Sequence, residues 1–261
     1  MKAIVCSRYG TPDSLQLQEV EKPSPKKDEV LVKVHATSIN DWDWGLVRGK
    51  PNVLRLLFGI LKPKKPIPGI ELSGIVEEIG EEITRFKVGD KVYGDLSNHG
   101  WGSWCEYACA KEDSLTIKPE QMSFEEAAAT PHAALLAYQG LLLGNIKGGM
   151  EVLVNGAGGG MGTFAFQILQ TFGATITGVD SGHKLNMMRE MGADEVIDYT
   201  QQDFTKTGKK YDLVLDAKTT RAPGTYLKSL KPDGKYITVG GHYGKLARLF
   251  LGKKGLYKEK Y

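Results

Sequence analysis

Residues 151–162 read EVLVNGAGGGMG, a short β-branched run that breaks into a cluster of glycines. Glycine lets a backbone approach a phosphate closely, and a helix starting there offers unpaired N–H groups and a positive dipole end. An apolar helix pattern, FAFQILQTFG, follows from Phe164 to Gly173. The chemistry this permits is the binding of a dinucleotide pyrophosphate. The fingerprint is Ala157-x-Gly159-Gly160-x-Gly162, with Gly158 and Met161 between, and Ala157 stands where the first glycine usually sits. An ordinary turn is the alternative for such a cluster taken alone.

A second feature argues against that alternative. The next apolar run, ATITGVD, ends on Asp180, 23 residues after Ala157. A carboxylate roughly 20 residues past the first glycine suits the adenosine ribose hydroxyls and repels a 2′-phosphate, which leans the reading towards NAD(H). Ser181, His183 and Lys184 follow at once and suit a phosphate, hence NADP(H).

The elements that must position these residues alternate. After the helix pattern HKLNMMREMG come three short strand patterns, EVIDY, YDLVLDA and KYITVGG. Strands alternating with helices predict a parallel, doubly wound Rossmann sheet. Before residue 122 the chain is β-rich instead. MKAIVCSRYG, EVLVKVHATSI, IELSGIVEEIG, GDKVYGDL and WCEYACAK read as strands of an antiparallel or barrel-like domain, punctuated by glycine and proline. SFEEAAATPHAALLAYQGLLLG then reads as helix, with Ser123 as N-cap, Glu126 completing a capping box and Gly144 as the stop. Two domains are expected, residues 1–122 and 123–261.

Composition sets the outer bounds. The chain has 261 residues, 41% hydrophobic and 25% charged, as in a soluble globular protein. A net charge of +3 is too small to suggest nucleic acid. No apolar run is long enough for a membrane span, and no signal-peptide pattern opens the sequence. Cys6, Cys105 and Cys109 cannot form a disulfide framework and point to a reducing, cytoplasmic setting.

Three strings carry a resemblance: PGIELSGIVEEIGEEITRFKVGDKVYG (Pro68–Gly94), the glycine turn, and MGADEVIDY (Met191–Tyr199). Together they resemble the medium-chain dehydrogenase/reductase superfamily, in its zinc-free quinone oxidoreductase branch. The resemblance runs from about Met1 to Gly241. It implies a chaperonin-like N-terminal barrel, a Rossmann domain, and hydride transfer from NAD(P)H in a cleft between them.

Metal can be tested against that resemblance. Zinc-dependent relatives place a cysteine where this chain has Asn40 and a histidine where it has Ile70, directly before Glu71. Isoleucine cannot ligate a metal, and an amide is a poor zinc ligand. The relatives' structural zinc needs four close cysteines, and the chain has three in all. The expected protein is metal-free. Without a Lewis acid it suits acceptors that delocalise the incoming charge themselves, quinones and α,β-unsaturated carbonyls.

The resemblance also orders the site candidates. Asn40 and Asp43, in SINDWDWG, are placed on the loop lining the cleft. Asn40 can donate to a carbonyl oxygen, and both residues can equally cap the following helix. For Trp42 and Trp44, core packing is the simpler expectation. Thr130 and His132 lie on the stretch that runs beside the nicotinamide in relatives, and an imidazole there can give a proton or serve as a solvated cap. His99 has the same two readings. Lys184 and Tyr199 join Ser181 on the cofactor side. Val239, Gly240 and Gly241 follow the fifth strand, where a ligand crevice is expected, with His242 and Tyr243 beyond. Val53–Gly69, apolar then basic, reads as a lid over the acceptor, with contact to a membrane surface as the alternative.

Two functional classes stay open: an active NAD(P)H-dependent quinone or enone reductase, with a zinc-free alcohol-dehydrogenase-like reductase as its variant, and a dinucleotide-binding sensor or scaffold with little turnover. The expected partner is a small molecule. The relatives implied by the resemblance continue roughly 60–80 residues further, adding a sixth strand that commonly builds a homodimer interface. Here the sequence ends in GKLARLFLGKKGLYKEKY, so the expectation is a Rossmann sheet short of that strand, either marginally stable or with its edge covered by the tail or another chain, and a homodimer is open rather than expected.

Overall fold

The computed structural model of the chain describes residues 1–52 and 55–241. They fall into two compact units that divide between His132 and Ala133. The division lies ten residues beyond the one read from composition.

In the first unit, β1 (Lys2–Cys6) and β2 (Leu15–Glu19) form an antiparallel hairpin. A five-stranded antiparallel sheet follows, from β3 (Glu29–Thr37), β4 (Glu71–Ile79), β5 (Lys91–Asp95), β6 (Tyr107–Lys111) and β7 (Leu115–Ile117), in the order β6-β3-β4-β5-β7. An isolated bridge between Ala3 and Cys105 ties the hairpin to the unit. Alternation sets the inner face: Val30 and Val32 meet Leu72, Val76, Val92 and Phe86, all buried. Two strands escaped the sequence reading, β2 and β7. LQLQE alternates but with only two apolar residues, and LTI has three residues in all, so neither gives a strong signal.

Helix α1 (Asp41–Arg48) follows β3 and ends on Gly49 at φ +59, the left-handed conformation that glycine adopts at least cost. Helix α2 (Arg55–Phe58) is a single turn. The stretch read as one helix from Ser123 is two, α3 (Phe124–Ala128) and α4 (Pro131–Leu143). Pro131 has no N–H to continue the ladder, and it disfavours a helical residue before it. Ser123 caps α3, with the Glu126 side chain returning to its backbone N–H at 2.8 Å. The Phe124 ring stacks on His35 of β3 at 4.3 Å, which explains why α3 belongs to the first unit.

The second unit is a parallel sheet of β8 (Glu151–Asn155), β9 (Thr175–Asp180), β10 (Glu195–Asp198), β11 (Tyr211–Asp216) and β12 (Leu230–Thr238), in the order β10-β9-β8-β11-β12. Numbered within this unit the order is 3-2-1-4-5, the doubly wound pattern. Helices α5 (Gly160–Thr171), α6 (Leu185–Glu190) and α7 (Pro223–Tyr226) connect the strands. Val152 and Val154 pack with Phe166 and Leu169 of α5, while Leu153 packs with Tyr211, Phe204 and Tyr226. Both faces of β8 are covered, so its sequence is a continuous apolar run rather than an alternating one. ARLFLG and the tail, with His242 and Tyr243, lie outside the described residues, as do Val53 and Leu54 of the lid segment.

Candidate functional site

The glycine turn leaves β8 and enters α5 without a side-chain cap, since Gly159 is the N-cap residue. The N–H groups of Gly160, Met161 and Gly162 are the first-turn donors that no helix satisfies internally. Three of the glycines are dictated by neighbours or by backbone conformation. A Cβ on Gly162 would stand 2.3 Å from the Ala157 carbonyl oxygen, so α5 can lie against the end of β8 only if that residue has no side chain. A Cβ on Gly158 would meet the Lys184 Cδ at 2.5 Å, and Gly156 holds φ +86. Ala157 is wholly buried and packs in the core, which accounts for a methyl group where a glycine was expected. Bare backbone donors at a helix start are the donor set that a pyrophosphate requires.

Asp180 closes β9 beside this turn, with both carboxyl oxygens already engaged. Its Oδ2 accepts the Gly158 N–H at 2.9 Å, its Oδ1 accepts the Ser181 N–H at 2.8 Å, and Lys184 Nζ lies 3.3 Å away. Burial raises its pKa, and these N–H bonds and the Lys184 charge outweigh that and hold it below the usual carboxylate range. Its side chain is 6% exposed against 30% for Lys184, so the charge that faces outwards is cationic. The Ser181 hydroxyl and the His183 ring lie 3.2 Å apart next to it. The Tyr199 N–H donates to the Asp180 carbonyl, and its side chain is exposed.

At the same sheet end lies a cluster that sequence reasoning missed. The wholly buried Asp216 ends β11. It accepts from Asn155 Nδ2 (2.8 Å), the Lys218 and Thr219 N–H groups (2.9 Å each) and the Tyr236 hydroxyl (2.8 Å). Val239 donates its N–H to the Asp216 carbonyl. Gly240 offers its carbonyl to Thr219 and Thr238, and Gly241 at φ +128 lies so close to Lys218 that a Cβ would be 2.3 Å from its carbonyl. Val239, Gly240 and Gly241 thus form a hydrogen-bonded ledge at this end of the sheet.

In the first unit Asn40, Asp43 and His132 come together around Glu71, a residue the sequence showed only as the neighbour of Ile70. Glu71 is 1% exposed in the middle of the apolar string PGIELSG. Its carboxyl accepts from Ser38 Oγ, from Asn40 Nδ2 at 2.6 Å and from the His132 backbone N–H at 2.6 Å. Asn40 Nδ2 also donates to Ser38 Oγ at 3.0 Å, so both amide hydrogens have partners and neither is free for a substrate carbonyl. Asp43 is wholly buried. Its Oδ2 accepts the Asn40 N–H (2.8 Å) and its Oδ1 the Gly69 N–H (3.0 Å). Burial pushes its pKa up to about 6 against those two bonds. Of the two roles open to it, the geometry selects capping.

His132 Nδ1 lies 2.8 Å from Asp95 Oδ2, and Asp95 Oδ1 accepts the Ser97 N–H at 2.7 Å. Burial lowers the imidazole pKa, but the hydrogen bond and charge of Asp95, with Glu71 and Asp43 behind it, hold it above its ordinary value. Asp95 was not a sequence candidate: 37 residues separate it from His132, and only the sheet brings them together.

Other candidates lie apart from this network. The Thr130 hydroxyl donates to the Glu126 carbonyl, ending α3. His99 lies 3.2 Å from Asp113. Trp42 and Trp44 are 37% and 40% exposed rather than core residues. Trp42 packs edge-on against Trp101, and Arg48 lies over Trp44. In the described part of the lid segment Ile60 and Leu61 are exposed. Among the described residues no group of three or more His, Cys, Asp or Glu is placed to hold a metal ion, and no helix is long and apolar enough to cross a membrane.

Comparison with known proteins agrees with this architecture. Residues 26–120 match the alcohol dehydrogenase GroES-like domain, and residues 160–260 the family described as zinc-binding dehydrogenase. The chain belongs to the medium-chain dehydrogenase/reductase superfamily. It is 38% identical over 252 residues to the chloroplastic quinone-oxidoreductase homolog of Spinacia oleracea, covering 92% of this chain and 74% of that protein. It is 34% identical to the 2-methylene-furan-3-one reductase of Solanum lycopersicum, covering 92% of this chain and 62% of that one. The quinone oxidoreductase structure from Coxiella burnetii superposes with a TM-score of 0.82 at 28% identity, over 97% of this chain and 86% of that one. Within the superfamily the chain belongs to the quinone oxidoreductase-like branch.

Proposed function

We propose that this protein reduces a quinone or α,β-unsaturated carbonyl with NADPH and without a metal. The observation that carries this reading is the Asp180–Lys184 pair beside the glycine turn. With Asp180 turned inwards onto Gly158 and Ser181, the sequence lean towards NAD(H) loses its basis. The Lys184 ammonium, with the Ser181 hydroxyl and the His183 ring beside it, makes a rim suited to a 2′-phosphate. Gly160, Met161 and Gly162 would hold the pyrophosphate by their N–H groups, with the ledge of Val239, Gly240 and Gly241 at the same sheet end towards the nicotinamide. The dinucleotide, when bound, supplies the hydride. A relative in Arabidopsis thaliana, 32% identical, is named NADPH-dependent alkenal/one oxidoreductase, which supports the same cofactor and acceptor class here.

The metal-free reading rests on the donor set. Ile70 is wholly buried and has no ligating atom, and the Asn40 amide is engaged with Glu71 and Ser38. An acceptor that delocalises charge fits a site with no Lewis acid among its side chains.

Following nicotinamide absorbance at steady state with a panel of quinones and enones tests the reading, and steady turnover with NADPH is the expected result. Equilibrium titration should give a lower Kd for NADPH than for NADH. Lys184→Ala should weaken NADPH about tenfold or more, the loss of one charge-assisted phosphate contact, while leaving NADH little changed. Tighter binding of NADH by the unaltered protein would overturn the cofactor assignment.

A further inference from the structure

The polar side chains gathered around Glu71 are almost all engaged with one another. Asn40 gives both amide hydrogens to Ser38 and Glu71, and Ser38 gives its own to Glu71. Asp43 accepts two backbone N–H groups in a fully buried position. Glu71 accepts three donors. Among the described residues one side-chain nitrogen of this cluster has no hydrogen-bond partner: Nε2 of His132, on a side chain that is 15% exposed. Reducing a quinone or enone takes a proton as well as a hydride, and nothing else in the cluster is free to give one.

We propose that His132 is the catalytic acid of this reduction and that Asp95 is its positioning residue. The inference rests on the reductase reading above. Asp95 Oδ2 receives the Nδ1–H at 2.8 Å, and the Ser97 N–H anchors the other carboxyl oxygen at 2.7 Å. The ring therefore keeps one orientation whether Nε2 carries a proton or not. The Glu71 carboxyl, bound to the His132 backbone N–H at 2.6 Å, fixes the first turn of α4 that carries the ring. The charged groups facing the imidazole are Asp95 from β5, Glu71 from β4 and Asp43 from α1, all acidic, and together they favour the imidazolium.

The step balances. Hydride forms a new C–H bond at the acceptor, and the π-electron pair moves to the carbonyl oxygen. That oxygen takes the Nε2 proton as the N–H bond breaks, leaving neutral imidazole, which regains a proton from water. An enone gives an enol that ketonises, and a quinone gives a keto tautomer that enolises to the hydroquinone, losing a proton from carbon and gaining one on the second oxygen. One NADPH and one proton are consumed per acceptor reduced.

The experiment combines kinetics with a measurement that needs no turnover. In the unaltered protein kcat/KM should fall as pH rises through the His132 pKa. Asp95→Asn keeps a side chain of the same shape but removes the charge, so that limb should move to lower pH by about one unit. His132→Gln should lose about 100-fold in turnover, in the range set by a missing general acid, with the Kd for NADPH unchanged. Ring ¹⁵N NMR of the protein without dinucleotide should show His132 titrating above its ordinary range, and below that value in Asp95→Asn. If His132→Gln does not fold, the Asp95→Asn profile and the ring titration still decide. A limb that stays put, a ring pKa unmoved by Asp95→Asn, or turnover within threefold of normal in His132→Gln would overturn the assignment while the reductase reading stands. Absence of NADPH turnover with every quinone and enone overturns that reading first, and this one with it.

Discussion

The two candidate regions are built in opposite ways. In the second unit the glycine turn is made of absence: Gly156, Gly158 and Gly162 stand where a Cβ would collide, and backbone N–H groups are left open by a helix start. In the first unit the Glu71 cluster is made of presence, with Ser38, Asn40, Asp43, Asp95 and His132 engaging one another and nearby backbone N–H groups around the buried Glu71 and Asp43. An open donor set accepts a ligand that arrives with its own charge. A saturated network leaves one atom over and fixes where it points.

The difference predicts how each fails. Removing Glu71 should be the most damaging single change, because it orphans the Ser38 hydroxyl, the Asn40 amide and the His132 N–H at once. Glu71→Ala should lower stability by about 4 kcal/mol, at 1–3 kcal/mol for each buried donor left unpaired. Chemical denaturation would measure this, and a loss below about 1 kcal/mol would show that water replaces the carboxyl easily.

Asp43 sharpens the contrast through pH. Its folded pKa, near 6, lies above the 3.8 of a free side chain, so the folded state holds the proton more tightly. Its contribution to stability is therefore full at low pH and is lost as pH rises from about 4 to about 6, by roughly 3 kcal/mol. Asp95 and Asp180, with lowered pKa values, act in the opposite sense, so the total profile masks the effect. The measurement is the stability difference between the protein and Asp43→Asn, which should favour the unaltered chain more at pH 4 than at pH 7. A pH-independent difference would show that Asp43 is not desolvated.

In the second unit, Gly162→Ala places a methyl 2.3 Å from a backbone oxygen, so α5 must move away from β8. The cost should be about 2 kcal/mol, typical of an overpacked site, with dinucleotide binding weakened because the first-turn donors shift. Calorimetry and a binding titration read the two effects. Normal affinity in a destabilised protein would separate the turn from the ligand.

The two regions also differed in how much of them could be read in advance. The turn, Asp180 and the 3-2-1-4-5 sheet were legible because their signals are local: a glycine spacing, a run of β-branched residues, a carboxylate at a strand end. What Asp180 does was not legible, since Gly158 reaches it only once β8 and β9 pair, and Lys184 only once the turn at Gly182–Lys184 folds back. The cluster in the first unit was half legible. Asn40, Asp43 and His132 stood out as polar residues in suggestive positions, but Glu71 looked like a charge flanking a lost ligand, and Asp95 like a strand end. Their roles come from register: β4 pairs Glu71 with Asp95 across β5, and that pairing has no sequence signature.

Thr219 gives the smallest effect and tests whether the second unit is wholly made of open backbone. It lies at φ +43, a conformation that costs a threonine about 1 kcal/mol or more relative to glycine. Its hydroxyl bonds to Thr238 at 2.6 Å and to the Gly240 carbonyl, locking the ledge that carries Gly240 and Gly241. Two substitutions separate these contributions. Thr219→Ala removes the hydroxyl bonds and keeps the strain, so it should destabilise by about 1–2 kcal/mol. Thr219→Gly removes both, so it should be the more stable of the two by about 1 kcal/mol and fall close to the unaltered protein. If the alanine variant proves at least as stable as the glycine variant, the left-handed turn is not strained. The hydroxyl would then be the whole reason for a threonine there, and this corner of the second unit would be, like the Glu71 cluster, a structure held by side chains.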